Sequence, residues 1–308
     1  MSRINLSVVI PVFQNSESLE ELVNRIHNVS SKLNISSEII AVDDGSTDES
    51  QIILNKLQKN KEFKLKIISL TKNFGQVPAI FAGLRNCSGS ATVVISADLQ
   101  DPPEIIEELY GFFLSGFEIV IAHRNSREDT LLNRLTSTIA YSLLRRDLEL
   151  LPKGGFDFFL IGEKARGRIC ATRGRNLFLQ GELLHTGFVP KMVPYSRERR
   201  KFGKSTWSLN KRIAYFEDAV VDSARKPFTS MLRIGIFLAA FSFLTGLVSL
   251  VGYLLDQTPF PGFTPIFLSI LFVGGLQLVL LSIVGQLVVR IYDINRNRIV
   301  YEVKEIAN

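Results

Sequence analysis

Residues 6–43 read LSVVIPVFQNSESLEELVNRIHNVSSKLNISSEIIAVD, from Leu6 to Asp43. Two runs rich in β-branched residues, LSVVIPV and EIIAVD, bracket a stretch in which Leu19, Leu22, Val23, Ile26, Val29 and Leu33 recur at helical spacing. The unit is strand, amphipathic helix, strand. Both strands are nearly continuous in apolar residues, the pattern of a parallel sheet covered by helices on both faces. Working outward, LKIISL (65–70), TVVISAD (92–98) and EIVIA (118–122) read as three further strands. Polar–apolar periodicity after Ser50, Gly75 and Pro103 supplies the helices between them. The class is α/β with a mostly parallel sheet. There are no internal repeats or low-complexity segments. Neither G-x-G-x-x-G nor G-x-x-x-x-G-K-[ST] occurs, which removes the main signatures of dinucleotide oxidoreductases and P-loop nucleotidases.

In open α/β sheets, ligands bind beyond the carboxyl ends of the strands, and here acidic residues gather at those ends. Asp98 and Gln100 are two apart, so in extended backbone their side chains point the same way. A carboxylate and an amide oxygen are hard ligands, suited to Mg²⁺ or Mn²⁺ shared with phosphate oxygens. The same stretch also reads as a helix start, with Asp101 as N-cap and Pro102 and Pro103 in the first turn. Both readings can hold together. Asp43, Asp44, Gly45, Ser46 and Asp48 form a second cluster, which a capped tight turn explains in part. Two adjacent carboxylates at the end of an apolar strand point further, to one that accepts hydrogen bonds from a base or ribose. His27, His123 and His185 have no ligand spacing. Cys87 and Cys170 are isolated thiols, which suit a reducing compartment and exclude a disulfide scaffold or a cysteine zinc site.

Of the 308 residues, 46% are hydrophobic, enough apolar surface to exclude disorder. A mean hydropathy of +0.18 is high for a soluble globule and low for a polytopic transporter. The net charge of +6 raises the question of nucleic acid. Its placement answers that question. Residues 197–233 hold ten Lys/Arg and four Asp/Glu, so this one segment carries the whole excess. Two uncharged apolar runs follow, 234–255 and 263–289, each long enough to span a bilayer core of about 30 Å. Lys226 and Arg233 precede the first run; Arg290, Arg296 and Arg298 follow the second. By the positive-inside rule this is a hairpin with both ends in the cytoplasm. The division expected is a cytoplasmic catalytic domain (1–207), a basic juxtamembrane helix (208–233), the two spans, and a cytoplasmic tail (290–308). Leu209, Ile213, Phe216, Val220 and Ala224 give the connector one apolar face, for the membrane surface or for a neighbouring subunit. Leu131, Leu135, Ile139 and Leu143 form a similar face, for the core or for the membrane. Trp207 suits an interface anchor or ordinary packing.

Five motifs in order, VVIPVFQNSESLEEL, IIAVDDGSTDES, KNFGQVPAIFAGL, SADLQDPPE and GGFDFFLI, resemble glycosyltransferase family 2. More narrowly they are similar to its polyisoprenyl-phosphate glycosyltransferases, the group of dolichol-phosphate mannose synthase and GtrB-type enzymes, over residues 5 to about 207. The trailing hairpin matches the GtrB-like arrangement. The resemblance implies a GT-A fold and an inverting transfer of one sugar from a nucleotide-sugar to a lipid phosphate. It implies that Pro11, Phe13, Glu17 and Asp43, with Asp44 beside it, line the nucleotide pocket. Asp98 and Gln100 would hold Mg²⁺ or Mn²⁺ against the diphosphate, and Arg124 would reach the phosphates. Asp157 matches the acidic residue near the reacting centre. Arg134 with Thr138, and Arg200 with Lys204 and Ser205, sit where the acceptor phosphate is bound. Three departures stand out: Ser96 replaces the first Asp of D-A-D-L-Q, Gln14 and Asn15 replace the usual Asn and Glu, and Ser205-Thr206 replaces Ser-Lys.

The function expected is transfer of one hexose, from UDP-glucose, to undecaprenyl phosphate at the plasma membrane. The enzyme would be a homo-oligomer without a nucleic-acid partner. GDP-mannose or a UDP-amino sugar is the alternative donor. A processive polysaccharide synthase would carry Q-x-x-R-W, which is absent; a non-catalytic membrane subunit would not need SADLQD and GGFDFF.

Overall fold

The computed structural model describes residues 4–60, 62–124, 150–152, 155–171, 178–198 and 301–307, with scattered helical positions between Ile266 and Ile291. Strands β1 (Leu6–Val12), β2 (Ser37–Asp43), β3 (Leu65–Leu70) and β4 (Ala91–Val94) run parallel in the order β3–β2–β1–β4. Helices α1 (Ser16–Lys32), α2 (Ser50–Gln58) and α3 (Gln76–Arg85) are the crossovers. Alternate residues of one strand serve opposite cores. Val8, Ile10 and Val12 pack with α1, α2 and α4 (Ile105–Leu114). Val9, with Ile40 and Val42 of β2, faces α3, α5 (Glu163–Ala171) and α6 (Leu179–His185) on the other side. The apolar continuity of the strands thus has its expected cause, burial on both faces.

Strand β5 (Ile119–Arg124) joins the sheet through an antiparallel strand, β6 (Phe158–Gly162), inserted between it and β4. Strand β7 (Lys191–Tyr195) runs parallel to β5 at one edge, and β8 (Val303–Ala307) runs antiparallel to β3 at the other. Among the described residues, three of the eight strands therefore exceed those expected, and β4 ends at Val94, four residues short of the strand read over 92–98. The terminal segment adds a strand that was not expected. Part of it is the sheet edge, with the Thr71 amide donating to the Glu302 carbonyl at 3.0 Å. The connector 208–233, the apolar face at 131–143 and the first apolar run lie outside the described residues, as does most of the second run. Among the described residues, no helix is long and apolar enough to cross a membrane.

One glycine is dictated by close approach. Gly45 has φ +69°, and a Cβ there would stand 2.8 Å from both the Asn73 nitrogen and the Lys72 carbonyl carbon. Both are backbone atoms, so neither can rotate away. Gly45→Ala is expected to destabilise the domain by about 1–3 kcal/mol, read as a lower urea midpoint with an unchanged slope.

Candidate active site

Successive strands β1, β2 and β3 build in one direction from β1, and β4 returns on its other side. The crevice at this reversal, between the carboxyl ends of β1 and β4, is where an open α/β sheet offers a ligand site. Ser18 at the start of α1 closes the back of it by donating its hydroxyl to the Ala97 carbonyl at 2.6 Å.

The β1 end carries Pro11 and Phe13, both half-buried, and exposed Glu17 in the first turn of α1. Gln14 adopts φ +55° and donates its amide to Ser46 Oγ at 3.1 Å. Asn15 donates to Ser50 Oγ at 3.0 Å and Ser16 to Asp48 Oδ2 at 3.1 Å. Burial alone would raise the Asp48 pKa, but the hydrogen bonds from Ser50 and Ser16 outweigh it and hold the carboxyl below its usual range. Two loops are thereby knitted into one wall. Register brings Asp43 opposite Val12, and Asp43 Oδ1 accepts the Ser46 amide at 3.0 Å. Asp44 has an internal task. Its two oxygens accept the Phe74 and Gly75 amides at 2.7 and 2.8 Å, tying β2 to the KNFG loop.

The acidic loop after β4 differs from the extended stretch expected. Leu99 is fully buried with φ +56°, so residues 98–100 form a turn, and the Gln100 amide donates to Asp98 Oδ1 at 3.2 Å. Core packing of Leu99 overrides the strand geometry that alternation alone suggests. Asp101 is no cap either. Helix α4 begins at Ile105, while the Asp101 carboxylate is 1% exposed and accepts the Tyr195 hydroxyl. The Ser96 hydroxyl lies between the two acids, 2.7 Å from Asp98 Oδ1 and 3.1 Å from Asp101 Oδ2. It links them where a third carboxylate would repel.

The antiparallel sense of β6 explains how GGFDFF reaches this edge. Its amino end lies where the parallel strands finish, so Asp157, one residue before β6, faces Arg124 at the end of β5. Arg124 Nη2 and Asp157 Oδ2 are 3.7 Å apart. The Asp157 side chain keeps 49% of its exposure, and the protein around it partly desolvates the carboxyl. That desolvation raises its pKa; Asp101 and Asp98 add to the rise, and Arg124 and Arg197 oppose it. Burial works against the Arg124 charge, but Asp157, Tyr195 and Asp101 offset it and strengthen the guanidinium. Tyr195, opposite Arg124 across β5 and β7, is pushed well up by burial and by Asp101, so it stays a hydroxyl donor. Arg197, two residues further on, lies 3.9 Å from Asp98 and 3.6 Å from Asp101.

Asp98, Gln100, Arg124 and Asp157 therefore gather at one edge, and Pro11, Phe13, Glu17 and Asp43 lie at the neighbouring strand ends. Arg134, Thr138, Arg200, Lys204 and Ser205 lie outside the described residues. Tyr195, Arg197 and the buried role of Asp101 were not read from sequence. Only Arg197 carried a signal, as the first residue of the basic segment. Asp98 and Gln100 suit a hard divalent cation that takes its remaining ligands from phosphate and water. The Arg197 guanidinium, 3.9 Å from the Asp98 carboxylate, already places a cationic group beside this loop.

The family model described as glycosyl transferase family 2 matches residues 7–175. The chain belongs to glycosyltransferase family 2. An uncharacterized glycosyltransferase of Synechocystis is 31% identical over 98% of this chain and 96% of its own. The bactoprenol glucosyl transferase of Shigella phage SfII is 31% identical over 98% of both chains. Among solved structures, glucosyl-3-phosphoglycerate synthase of Mycobacterium tuberculosis, in complex with Mn²⁺, UDP and phosphoglyceric acid, aligns with a TM-score of 0.51 at 19% identity, over 71% of this chain and 76% of that one. Mannosyl-3-phosphoglycerate synthase of Rubrobacter xylanophilus gives 0.52 at 18% identity, over 75% of each. These likenesses show the GT-A fold, and the family makes this chain a glycosyltransferase.

Proposed function

We propose that this glycosyltransferase moves a single glucose from UDP-glucose to undecaprenyl phosphate at the cytoplasmic face of the plasma membrane, with inversion. The observation that carries the reading is full-length similarity to a bactoprenol glucosyl transferase, combined with paired acids and arginines at the β4–β5 edge. The return of the chain as β8 supports the membrane arrangement. Strands β7 and β8 belong to one sheet, so the chain before residue 199 and the chain after residue 300 lie on the same side of any membrane. A membrane excursion between them crosses an even number of times, which agrees with two apolar runs and basic flanks on one side.

The chemistry follows from charge. The bond from the sugar C1 to the diphosphate oxygen breaks, and a bond from C1 to an acceptor phosphate oxygen forms on the opposite face. Held by Asp98 and Gln100, Mg²⁺ or Mn²⁺ would stabilise charge on the departing diphosphate. A phosphate monoester has a second pKa near about 6, so the acceptor oxygen is already anionic and needs no strong base. Asp157 then positions the acceptor or serves as a weak base beside Arg124, and the arginines hold two anions together against repulsion. Arg134, Thr138, Arg200, Lys204 and Ser205 are assigned to the acceptor phosphate by motif.

Membranes containing the protein, given radiolabelled nucleotide-sugars, test the reading. Label from UDP-glucose is expected in the lipid fraction, and is lost with chelator and with Asp98→Ala. Label taken from GDP-mannose instead would change the sugar. Label found only in polymer, or no transfer from any donor, would refute the proposal.

A further inference from the structure

Arg197 has no hydrogen-bond partner for its buried Nε among the described residues. That nitrogen lies 3.6 Å from Asp101 Oδ1, and Nη2 lies 3.9 Å from Asp98 Oδ2, both too long for hydrogen bonds. The guanidinium neutralises two carboxylates without being locked to either. Its backbone, by contrast, is clamped. The Glu198 amide donates to the Gln100 carbonyl at 2.9 Å. The Glu198 carboxylate receives Arg25 at 3.0 Å, and Arg25 makes a two-pronged contact with Glu104 at 2.9 and 2.6 Å. A fixed stem thus carries a loosely held cation at the mouth of the acidic loop. Asp98, Asp101 and Asp157 face two guanidiniums there, Arg124 and Arg197.

We propose that Arg197 is an exchangeable counter-ion: it neutralises Asp98 until a divalent cation takes that carboxylate, and its guanidinium then turns to a substrate phosphate. The idea rests on the nucleotide-binding reading of this edge. Two cations cannot share one carboxylate at close range without repulsion. An arginine displaced from Asp98 regains a strong partner only when a phosphate arrives, and guanidinium matches phosphate in geometry and charge. Cation and phosphate therefore bind cooperatively, each removing a cost the other would bear alone. Such linkage is reciprocal. The phosphate is the donor diphosphate or the acceptor monoester, which share this chemistry.

The experiment is Mn²⁺ titration of the purified full-length protein, followed by electron paramagnetic resonance, with and without UDP or inorganic phosphate. Wild type is expected to bind Mn²⁺ weakly alone and more tightly with a phosphate ligand. Tightening by UDP alone identifies the diphosphate; tightening by inorganic phosphate as well identifies a general phosphate seat. In Arg197→Gln, Mn²⁺ alone binds about tenfold more tightly, and the gain from UDP shrinks by a similar factor. Arg197→Lys keeps the charge, so Mn²⁺ alone stays weak. A purely structural arginine would give weaker or unchanged Mn²⁺ binding in Arg197→Gln with the UDP gain intact, which overturns the proposal. Equal tightening in Arg197→Lys also overturns it. If wild type binds no Mn²⁺ under any condition, the metal reading of the edge falls as well, and the two failures are told apart.

Discussion

Asp98→Asn reduces sugar transfer by about 10³-fold, the scale on which loss of one charge-stabilising group in a preorganised site is felt. The substitution is nearly isosteric. An amide oxygen can still accept from Ser96 and the Gln100 amide, which Asp98 Oδ1 holds at 2.7 and 3.2 Å. The loop therefore keeps its turn, and the loss falls on cation binding. Thermal midpoint and far-ultraviolet dichroism are expected to stay close to wild type, while Mn²⁺ binding disappears. Retained Mn²⁺ binding with full activity would show that the diphosphate charge is met elsewhere, and Gln100 and Asp98 would lose their assignment.

Asp157→Asn is expected to lower transfer by about 10²–10⁴-fold, the range for a positioned acid–base group, and to change the pH profile. Desolvation, with Asp101 and Asp98 nearby, raises the Asp157 pKa despite Arg124 and Arg197. A raised carboxyl favours the neutral form in the fold. Its stabilising contribution is present below the unfolded pKa and is lost as pH rises through the folded one. Asp157→Asn therefore leaves stability at neutral pH unchanged or higher, while activity falls. For kcat/KM, which reports the free enzyme, the acid limb sits above the ordinary aspartate value of about 3.9 in wild type. That limb vanishes in Asp157→Asn, leaving the one at about 6 that the acceptor phosphate itself contributes. A limb unchanged by the substitution would assign it to another group and leave Asp157 a structural partner of Arg124.

Much of this enzyme could be read along the chain, and the failures share one cause. The five strands read from sequence are β-branched and buried on both faces, so composition and burial agree. Strand β8, VKEIA, is mostly exposed at a sheet edge and sits in a charged tail, so nothing local marks it. Its identity comes from β3, which offers unpaired backbone groups. Strand β7 contains Pro194, which donates nothing to a ladder and weakens the local strand signal, and it lies at a sheet edge. Asp44 and Asp43 look alike in sequence, yet one ties down the KNFG loop and the other caps the turn before Ser46.

What the sequence determined by itself was the α/β class, the family, and the candidacy of Asp98, Gln100, Arg124 and Asp157, because strand periodicity and motif order are local properties. Tertiary structure alone decided that β6 enters antiparallel and delivers Asp157 to Arg124. It also decided that Leu99 turns left-handed under core packing, and that Tyr195 and Arg197 close on Asp101 and Asp98 from the far end of the domain. Those contacts join residues about a hundred positions apart. Their energy comes from burial and charge neutralisation once the sheet has formed, and no local pattern encodes a partner that only folding brings near.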